Sequence, residues 1–422
     1  MNILLISVDN DAYHLACKLA DEGERVYFWV KDPRYANVGK GRDNPKVVPY
    51  WQSWLDKVDF VIFDMVKMGK EADQIRKQVP VVGAAAIADE IELNREIGQK
   101  IMEEAGTDKN FVDISFHKKF STIADGVKFL KGQKEPFVFK ALGNKDHVWT
   151  FVGQKGNDGL IQYMESLPNM PFILQKCVNG GVEVSTEGWF NGKDFIYPFN
   201  HTMEKKRLMN GDRGQNTGCQ GSICWICEDD EIVTNALLPI AKVLEKGGYH
   251  GPVDVNCIAT EDKLYFLEFT ARFGYHAIEN LYELIEGDRP DFFYRMAKGN
   301  IKEQEFSSDY SMALSLSFPP YPDYEHKEKC RELKGMKVFD IDDMEGVWLH
   351  DVMWDKDRDP VIAGADALLG CIVATSPRIA DASKKTLKRA QDISLMKEVQ
   401  FRTDIAEGVE ENIKQLKSWG WI

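Results

Sequence analysis

The chain lacks any long apolar run, any surplus of positive charge and any dense spacing of cysteines. No stretch of the 422 residues approaches the roughly 20 consecutive apolar positions that cross a bilayer, so a membrane-spanning helix is not expected. Lys and Arg number 53 against 67 Asp and Glu, a formal charge of -14. General affinity for nucleic-acid phosphate needs a cationic face that releases counterions, and this balance gives no strong nucleic-acid signal. The eight cysteines are spread thinly, which reads as reduced thiols rather than a disulfide framework. Cys224 and Cys227 have the spacing of a metal or redox pair, with Cys219 nearby, but no second pair of matching spacing follows. They read as ordinary semi-buried thiols. The apolar run from Ile3 to Ile6 is too short for an export signal, so cytoplasmic residence is the expectation.

What is present is ordinary globular composition, 44% hydrophobic and 28% charged, in a chain long enough for two or three domains. Strands at 2–8, 25–30, 59–63 and 79–82 alternate with helical patterns at 12–22 and 71–78. That alternation predicts a small open parallel α/β domain over 1–84. A second unit, 85–306, opens with Ile91, Leu93, Ile97, Ile101 and Met102 at helical spacing, predicting one long amphipathic helix over 88–105. Strands follow at 137–141 and 172–178, then a hairpin, 182–190 with 194–198, turning at Asn191-Gly192. A glycine-rich loop is expected over 211–221, a helix over 232–247, and paired strands at 252–259 and 263–270. The last unit, 307–422, is small and strand-rich, with strands at 311–318, 346–353 and 370–375 and helices at 380–393 and 408–422. The fold class is α/β and α+β.

The paired strands at 252–270 carry the most chemistry. Side chains alternate along a strand, so Glu268, Thr270 and Arg272 share one face, while Leu267, Phe269 and Ala271 take the other. Asp254 and Asn256 share a face of the partner strand. Such hard oxygen ligands suit magnesium, which binds one or two carboxylates and completes its shell with substrate phosphates. Arg272 would neutralise charge developing on phosphate.

This hairpin resembles the nucleotide-magnesium hairpin of the ATP-grasp superfamily, and the chain from about Val81 onward resembles glycinamide ribonucleotide synthetase. GDRGQNTGCQG at 211–221 mirrors that family's GDTGPNTGGMG loop, Lys206-Arg207 matches its Lys-Arg pair, and EFTARFG at 268–274 matches its IEFNCRFG strand. Glycines let backbone N–H groups approach an anion closely, while Asn and Thr add directed hydrogen bonds.

The resemblance implies a central ATP-grasp fold and an ADP-forming carboxylate–amine ligase using ATP and Mg2+ (or Mn2+), with glycine or another small amino acid as donor. It implies nucleotide binding by Lys140, Gln175, Lys176, Val178, Glu183 and Asn216, and metal binding by Glu268, Asp254 and Thr270. Arg272, Lys206, Arg207 and Asp212 are the expected catalytic groups. Asp212, Gly214, Asn216, Thr217 and Gly218 are the expected substrate contacts. The partners implied are small molecules, an amino acid and an amine, in a monomer or homodimer.

Three positions depart from the family. Its first strand leads into a glycine-rich loop with a Gly-Arg-Glu-His signature, where this chain has Ser7-Val8-Asp9-Asn10-Asp11-Ala12-Tyr13-His14; only His14 is retained. Asp9 and Asp11 stand where a phosphate wants amides and a cation. The loop after Lys140 has Gly143 alone where the family has several glycines, and Thr270 replaces an asparagine ligand. Two alternatives follow: an inactive paralogue with a binding or regulatory role, or a ligase joining an amino acid to a different amine, such as a modified nucleotide.

Overall fold

The computed structural model describes residues 1–105, 112–113, 116–142, 150–153, 156–274, 276–323 and 327–422. The first segment is a parallel sheet of β1 (Asn2–Ser7), β2 (Arg25–Val30), β3 (Lys46–Val47), β4 (Phe60–Phe63) and β5 (Val81–Val82) in the order β3-β2-β1-β4-β5. Five of the six β1 residues are buried, as expected for a strand covered on both faces. Helix α1 (Tyr13–Asp21) follows β1, and α2 (Gly69–Ile75) joins β4 to β5. The chain runs outward from β1 to β3 and returns to β4 on the other side of β1. The carboxyl ends of β1 and β4 therefore form the switch-point crevice where open α/β sheets receive ligands.

The expected helix over 88–105 is two helices, α3 (Ala86–Leu93) and α4 (Arg95–Ala105). Asn94 is extended between them (φ -109, ψ 90), and its side-chain oxygen accepts from the Ile97 amide at 3.4 Å, which starts the second helix. The apolar spacing continues across the break, so periodicity alone hides it.

A four-stranded antiparallel sheet has the order β7-β10-β8-β9. Its members are β7 (His117–Phe120), β8 (Phe137–Ala141), β9 (Phe151–Val152) and β10 (Phe172–Lys176); β6 (Val112–Asp113) belongs to the larger sheet. Phe120, Phe139, Phe172 and Leu174 form its core with α5 (Ile123–Leu130) and α6 (Asp158–Glu165).

The larger sheet is built from β11 (Val182–Asn191), β12 (Phe195–Met209), β13 (Arg213–Cys227), β14 (His250–Ala259), β15 (Leu264–Thr270), β16 (Tyr310–Ser317), β17 (Val347–Leu349) and β20 (Leu368–Ser376), with β6 at one edge. Its order is β17-β20-β16-β13-β12-β11-β14-β15-β6. Strands β16, β17 and β20 thus extend the same sheet as the central hairpins. The expected strand at 346–353 is interrupted: β17 joins this sheet, while β18 (Val352–Trp354) pairs with β19 (Pro360–Ile362).

Two further expectations change. Residues 211–221 are mostly strand rather than loop, because β12 and β13 make one long hairpin with a tight tip. Gly211, Asp212 and Gly214 have φ of +68, +53 and +79, which is the tip's requirement for glycine. Gly221 serves a different need: a Cβ there would lie 2.7 Å from the Ala313 carbonyl oxygen. The helix over 232–247 is a π turn, a 3-10 turn containing Pro239, and α7 (Ala241–Lys246); proline has no amide to continue the helical ladder. Among the described residues no helix is long and apolar enough to cross a membrane.

Polar contacts join the N-terminal sheet to the C-terminal segment. Asn10 donates to the His350 carbonyl at 3.2 Å, and the Tyr35 hydroxyl donates to Asp366 at 2.7 Å. Burial opposes charging His350, but Asp366, Asp11 and Asp351 outweigh it and hold its pKa up at about 9. A histidine raised in the folded state contributes its stability fully below the unfolded pKa, near 6.5, and loses it as pH rises through the folded value. Wild-type protein should lose on the order of 2 kcal/mol between pH 6.5 and 9 through this group. His350→Asn should flatten that part of the slope in urea unfolding; an unchanged slope would exclude the linkage.

Candidate active site

The β14–β15 hairpin places Asp254 opposite Thr270 and Asn256 opposite Glu268. Directly opposed residues share a face, so these four side chains line one surface. Strand β11 extends it, with Glu187 opposite Asp254 and Ser185 opposite Asn256; the Asn256 amide donates to the Ser185 hydroxyl at 3.1 Å. Register shifts between β14 and β15 after Asn256, where Leu267 is the extra residue. The bulge brings Phe266 and Phe269 together in the core, ring centroids 4.7 Å apart, in place of the simple alternation expected from sequence.

Lys206 on β12 reaches this surface from the next hairpin, 3.7 Å from Glu183 and 3.4 Å from Glu204. Arg95, at the start of α4, lies 3.0 Å from Glu268. Lys140 on β8 comes from the facing four-stranded sheet and interacts with Arg95, Glu268 and Glu183. Two sheets therefore bring cations and carboxylates into one cleft.

The charges are unevenly balanced. Burial would raise the Glu268 carboxyl, but Arg95, Lys206, Lys140 and Arg272 outweigh it and hold its pKa below the usual value. Burial, with the Glu204 charge beside it, pushes Asp254 well up; burial, Asp254 and Glu204 do the same to Glu187. Burial and Arg95 draw Lys140 down to about 8, whereas Glu204, Glu183 and Glu268 overcome desolvation and raise Lys206. Glu187 Oε1 and Asn256 Oδ1 are buried without a hydrogen-bond partner. Mutually repelling carboxylates with unused oxygens fit a hard divalent cation, which accepts oxygen ligands and cancels their charge.

The expected site residues fall into separate groups. Lys140, Glu183, Lys206, Asp254, Glu268 and Thr270 belong to the cleft. Gln175 is buried near the end of β10 opposite Val138, with Nε2 unpartnered; Lys176 is 2.5 Å from Glu135, and Val178 is half-buried just beyond the strand. Arg272 is turned to α3, its Nε 2.8 Å from Glu92, whose other oxygen accepts from the Ala271 amide.

The remaining residues form the β12–β13 tip. Arg207 donates to the Gly214 carbonyl at 2.9 Å and lies opposite Asn216. Asp212 is 2.9 Å from the buried Arg402 and 3.4 Å from Lys205. Thr217 donates to the Lys206 carbonyl at 2.9 Å, and Gly218 is exposed. The loop after Lys140, at 143–149, lies outside the described residues.

Residues 108–277 match the family described as phosphoribosylglycinamide synthetase, ATP-grasp (A) domain. Across 96% of this chain and all of its counterpart, the fold aligns with a phosphoribosylamine–glycine ligase from Thermotoga maritima at a TM-score of 0.68 and 19% identity. The chain carries an ATP-grasp domain. Among its relatives is the phosphoribosylamine–glycine ligase of Listeria monocytogenes serotype 4b, 25% identical over 399 residues, 87% of this chain and 91% of the relative. That of Leifsonia xyli is 24% identical over 362 residues, 82% and 84%. N5-carboxyaminoimidazole synthetase from Staphylococcus aureus has a similar fold, with a TM-score of 0.57 and 12% identity over 92% of this chain and 97% of the other.

Glu187, Glu204, Arg95 and Glu92 join the site without having been singled out from sequence. Strand alternation from Glu183 through Ser185 marks Glu187, whereas Arg95 and Glu92 depend on the α3–α4 break. Cys224 and Cys227 lie three residues apart on unbroken strand pairing and so face opposite sides of β13. Cys227 instead groups with His201 and Asp230, their donor atoms within 4.8 Å of one another.

Proposed function

We propose that this protein is an ADP-forming carboxylate–amine ligase of the phosphoribosylamine–glycine ligase type, using glycine or another small amino acid as donor. The observation that carries the reading is the convergence of Lys140 and Lys206, from two facing sheets, on the Glu268–Asp254 surface. We assign the acceptor to unit 1–84, the nucleotide to 85–306 and closure to 307–422, in a cytoplasmic monomer or homodimer.

The donor carboxylate attacks the γ-phosphorus of ATP, ADP leaves, and an acyl phosphate remains. Attack brings two anions together, so catalysis consists of positioning and charge compensation. Lys140 holds nucleotide phosphates as a point charge, Lys206 supplies a second cation, and Glu183 and the 175–178 segment position the nucleoside. Glu268 and Asp254, with Thr270, would hold Mg2+, which offsets phosphate charge when bound. The amine then displaces phosphate from the acyl carbon, leaving an amide; no protein nucleophile is required.

Hydroxylamine traps acyl phosphates as hydroxamates. Purified protein should form glycyl hydroxamate only with ATP, Mg2+ and glycine all present. Nucleotide binding without hydroxamate would favour a non-catalytic paralogue, a reading to which Thr270 at the asparagine position lends some support.

A further inference from the structure

Resting on the ligase reading, we propose that the β1–β4 switch-point crevice receives the acceptor as a primary ammonium group, and that His14, oriented by Glu279, takes its proton. The crevice is walled by carboxylates. Asp9 and Asp11 follow β1, and Asp64 follows β4, where the Ser7 hydroxyl donates to its Oδ2 at 2.5 Å. Asp64 is 1% exposed, and its Oδ1 has no partner. Burial and the like charges of Asp11 and Asp9 push it up to about 8. Lys67 lies 3.3 Å from Asp9. A phosphate entering here would meet the carboxylates of Asp9 and Asp11, whereas an ammonium supplies donors to them and to the unpartnered Asp64 Oδ1.

A group able to remove the proton sits beside it. His14 on α1 places Nε2 3.2 Å from Glu279 Oε1 on helix α8 (Ala277–Leu284). His14 and His276 lower the Glu279 carboxyl far enough, against burial, to keep it ionised. An ionised carboxylate only accepts, so Nε2 carries a hydrogen toward Glu279, and Nδ1 is the ring nitrogen left to exchange a proton with a ligand. His14 Nδ1 is buried and has no partner, as is Glu279 Oε2. Both residues line a small cleft with Asp11, Phe273 and Gly274, the last two continuing directly from the strand that carries Glu268 and Thr270. Other titratable groups near the crevice are His276, the residue that precedes α8, and, from the C-terminal segment, His350 with Asp366.

The chemistry balances. R–NH3+ gives one proton to His14 Nδ1 and becomes R–NH2. Its lone pair forms the N–C bond at the acyl carbon, the C–O bond to phosphate breaks, and the second nitrogen proton leaves with phosphate as HPO4 2−. Hydroxylamine is already largely unprotonated at neutral pH and does not need the first step.

The test compares hydroxylamine, methylammonium and aminomethylphosphonate as acceptors, with glycine and ATP, by mass spectrometry at pH 7.5. Wild-type protein should form the methylamide at least roughly tenfold faster than the phosphonate-bearing amide. Glu279→Gln and His14→Asn should each lose methylamide formation by about 100-fold or more, the range of general-base contributions, while hydroxamate formation falls less than about fivefold. Retained hydroxamate formation also reports an intact fold. Equal loss of both products, or preference for the phosphonate, overturns the inference. Wild-type protein that makes hydroxamate but no methylamide overturns it too and leaves the ligase reading standing. Protein that makes no hydroxamate overturns the ligase reading itself.

Discussion

Glu268→Gln should lower glycine-dependent ADP release by about 10²- to 10³-fold, the usual cost of removing one preorganised electrostatic contact at a reacting centre. The substitution keeps shape and leaves an amide oxygen for Arg95, 3.0 Å away in the native protein, but removes the charge. Four cations, Arg95, Lys206, Lys140 and Arg272, act on this one carboxylate and keep it ionised. With the charge gone, the cation cluster repels itself and a divalent ion bound there would lose a carboxylate ligand. Because the side chain is partly exposed, the thermal transition should move little. The measurement is coupled ADP release at saturating ATP and glycine with hydroxylamine as acceptor. A rate within about fivefold of wild type would place phosphate transfer elsewhere, since one ligand of this kind is worth far more.

How much of this site is legible before folding depends on the distance over which the controlling interaction acts. The β14–β15 hairpin could be read because apolar alternation and a polar turn at 260–262 fix its pairing locally, and Asp254, Asn256, Glu268 and Thr270 do share a face. Residue 267 could not, because a bulge is a choice made with the partner strand. The Asn191-Gly192 turn was equally legible, but not the extension of β12 to Met209, since glycines at 211–221 look like loop when only the tip needs positive φ. Arg272 has the right position for a phosphate ligand, yet Glu92 on α3 reaches it first. The Asn94 break, which brings Glu92 and Arg95 to the cleft, leaves the helical apolar pattern intact and so leaves no signature in periodicity.

The acceptor side follows the same logic in reverse. Asp9 and Asp11 were conspicuous as departures from a family pattern and His14 as the one residue kept, but Asp64 and Glu279 acquire meaning only when β1, β4 and α8 come together. A sheet switch point gathers residues distant in sequence, and its chemistry is therefore the least readable part of the chain.

Glu187→Gln should make the protein more stable and a poorer enzyme. Glu187 is 2% exposed, Oε1 has no partner, and burial with Asp254 and Glu204 pushes its carboxyl well up. A carboxyl raised in the folded state takes up a proton on folding, so the native protein is penalised as pH climbs above the unfolded value near 4.5 and relieved as pH falls. An amide of the same shape removes that penalty. At pH 7.5 the variant should gain about 1–3 kcal/mol in urea unfolding, and its stability should fall less steeply between pH 5 and 8. Turnover should move in the opposite direction: the repulsion stored among Glu187, Asp254 and Glu204 favours a divalent cation, and ligand binding converts that preference into stability. Mg2+ with ATP should therefore raise the wild-type melting temperature more than the variant's, and the variant should need roughly tenfold more Mg2+ for half-maximal ADP release. A variant that is less stable than wild type, with unchanged Mg2+ dependence, would show that Glu187 is held by contacts in the fold and plays no part in receiving the ion.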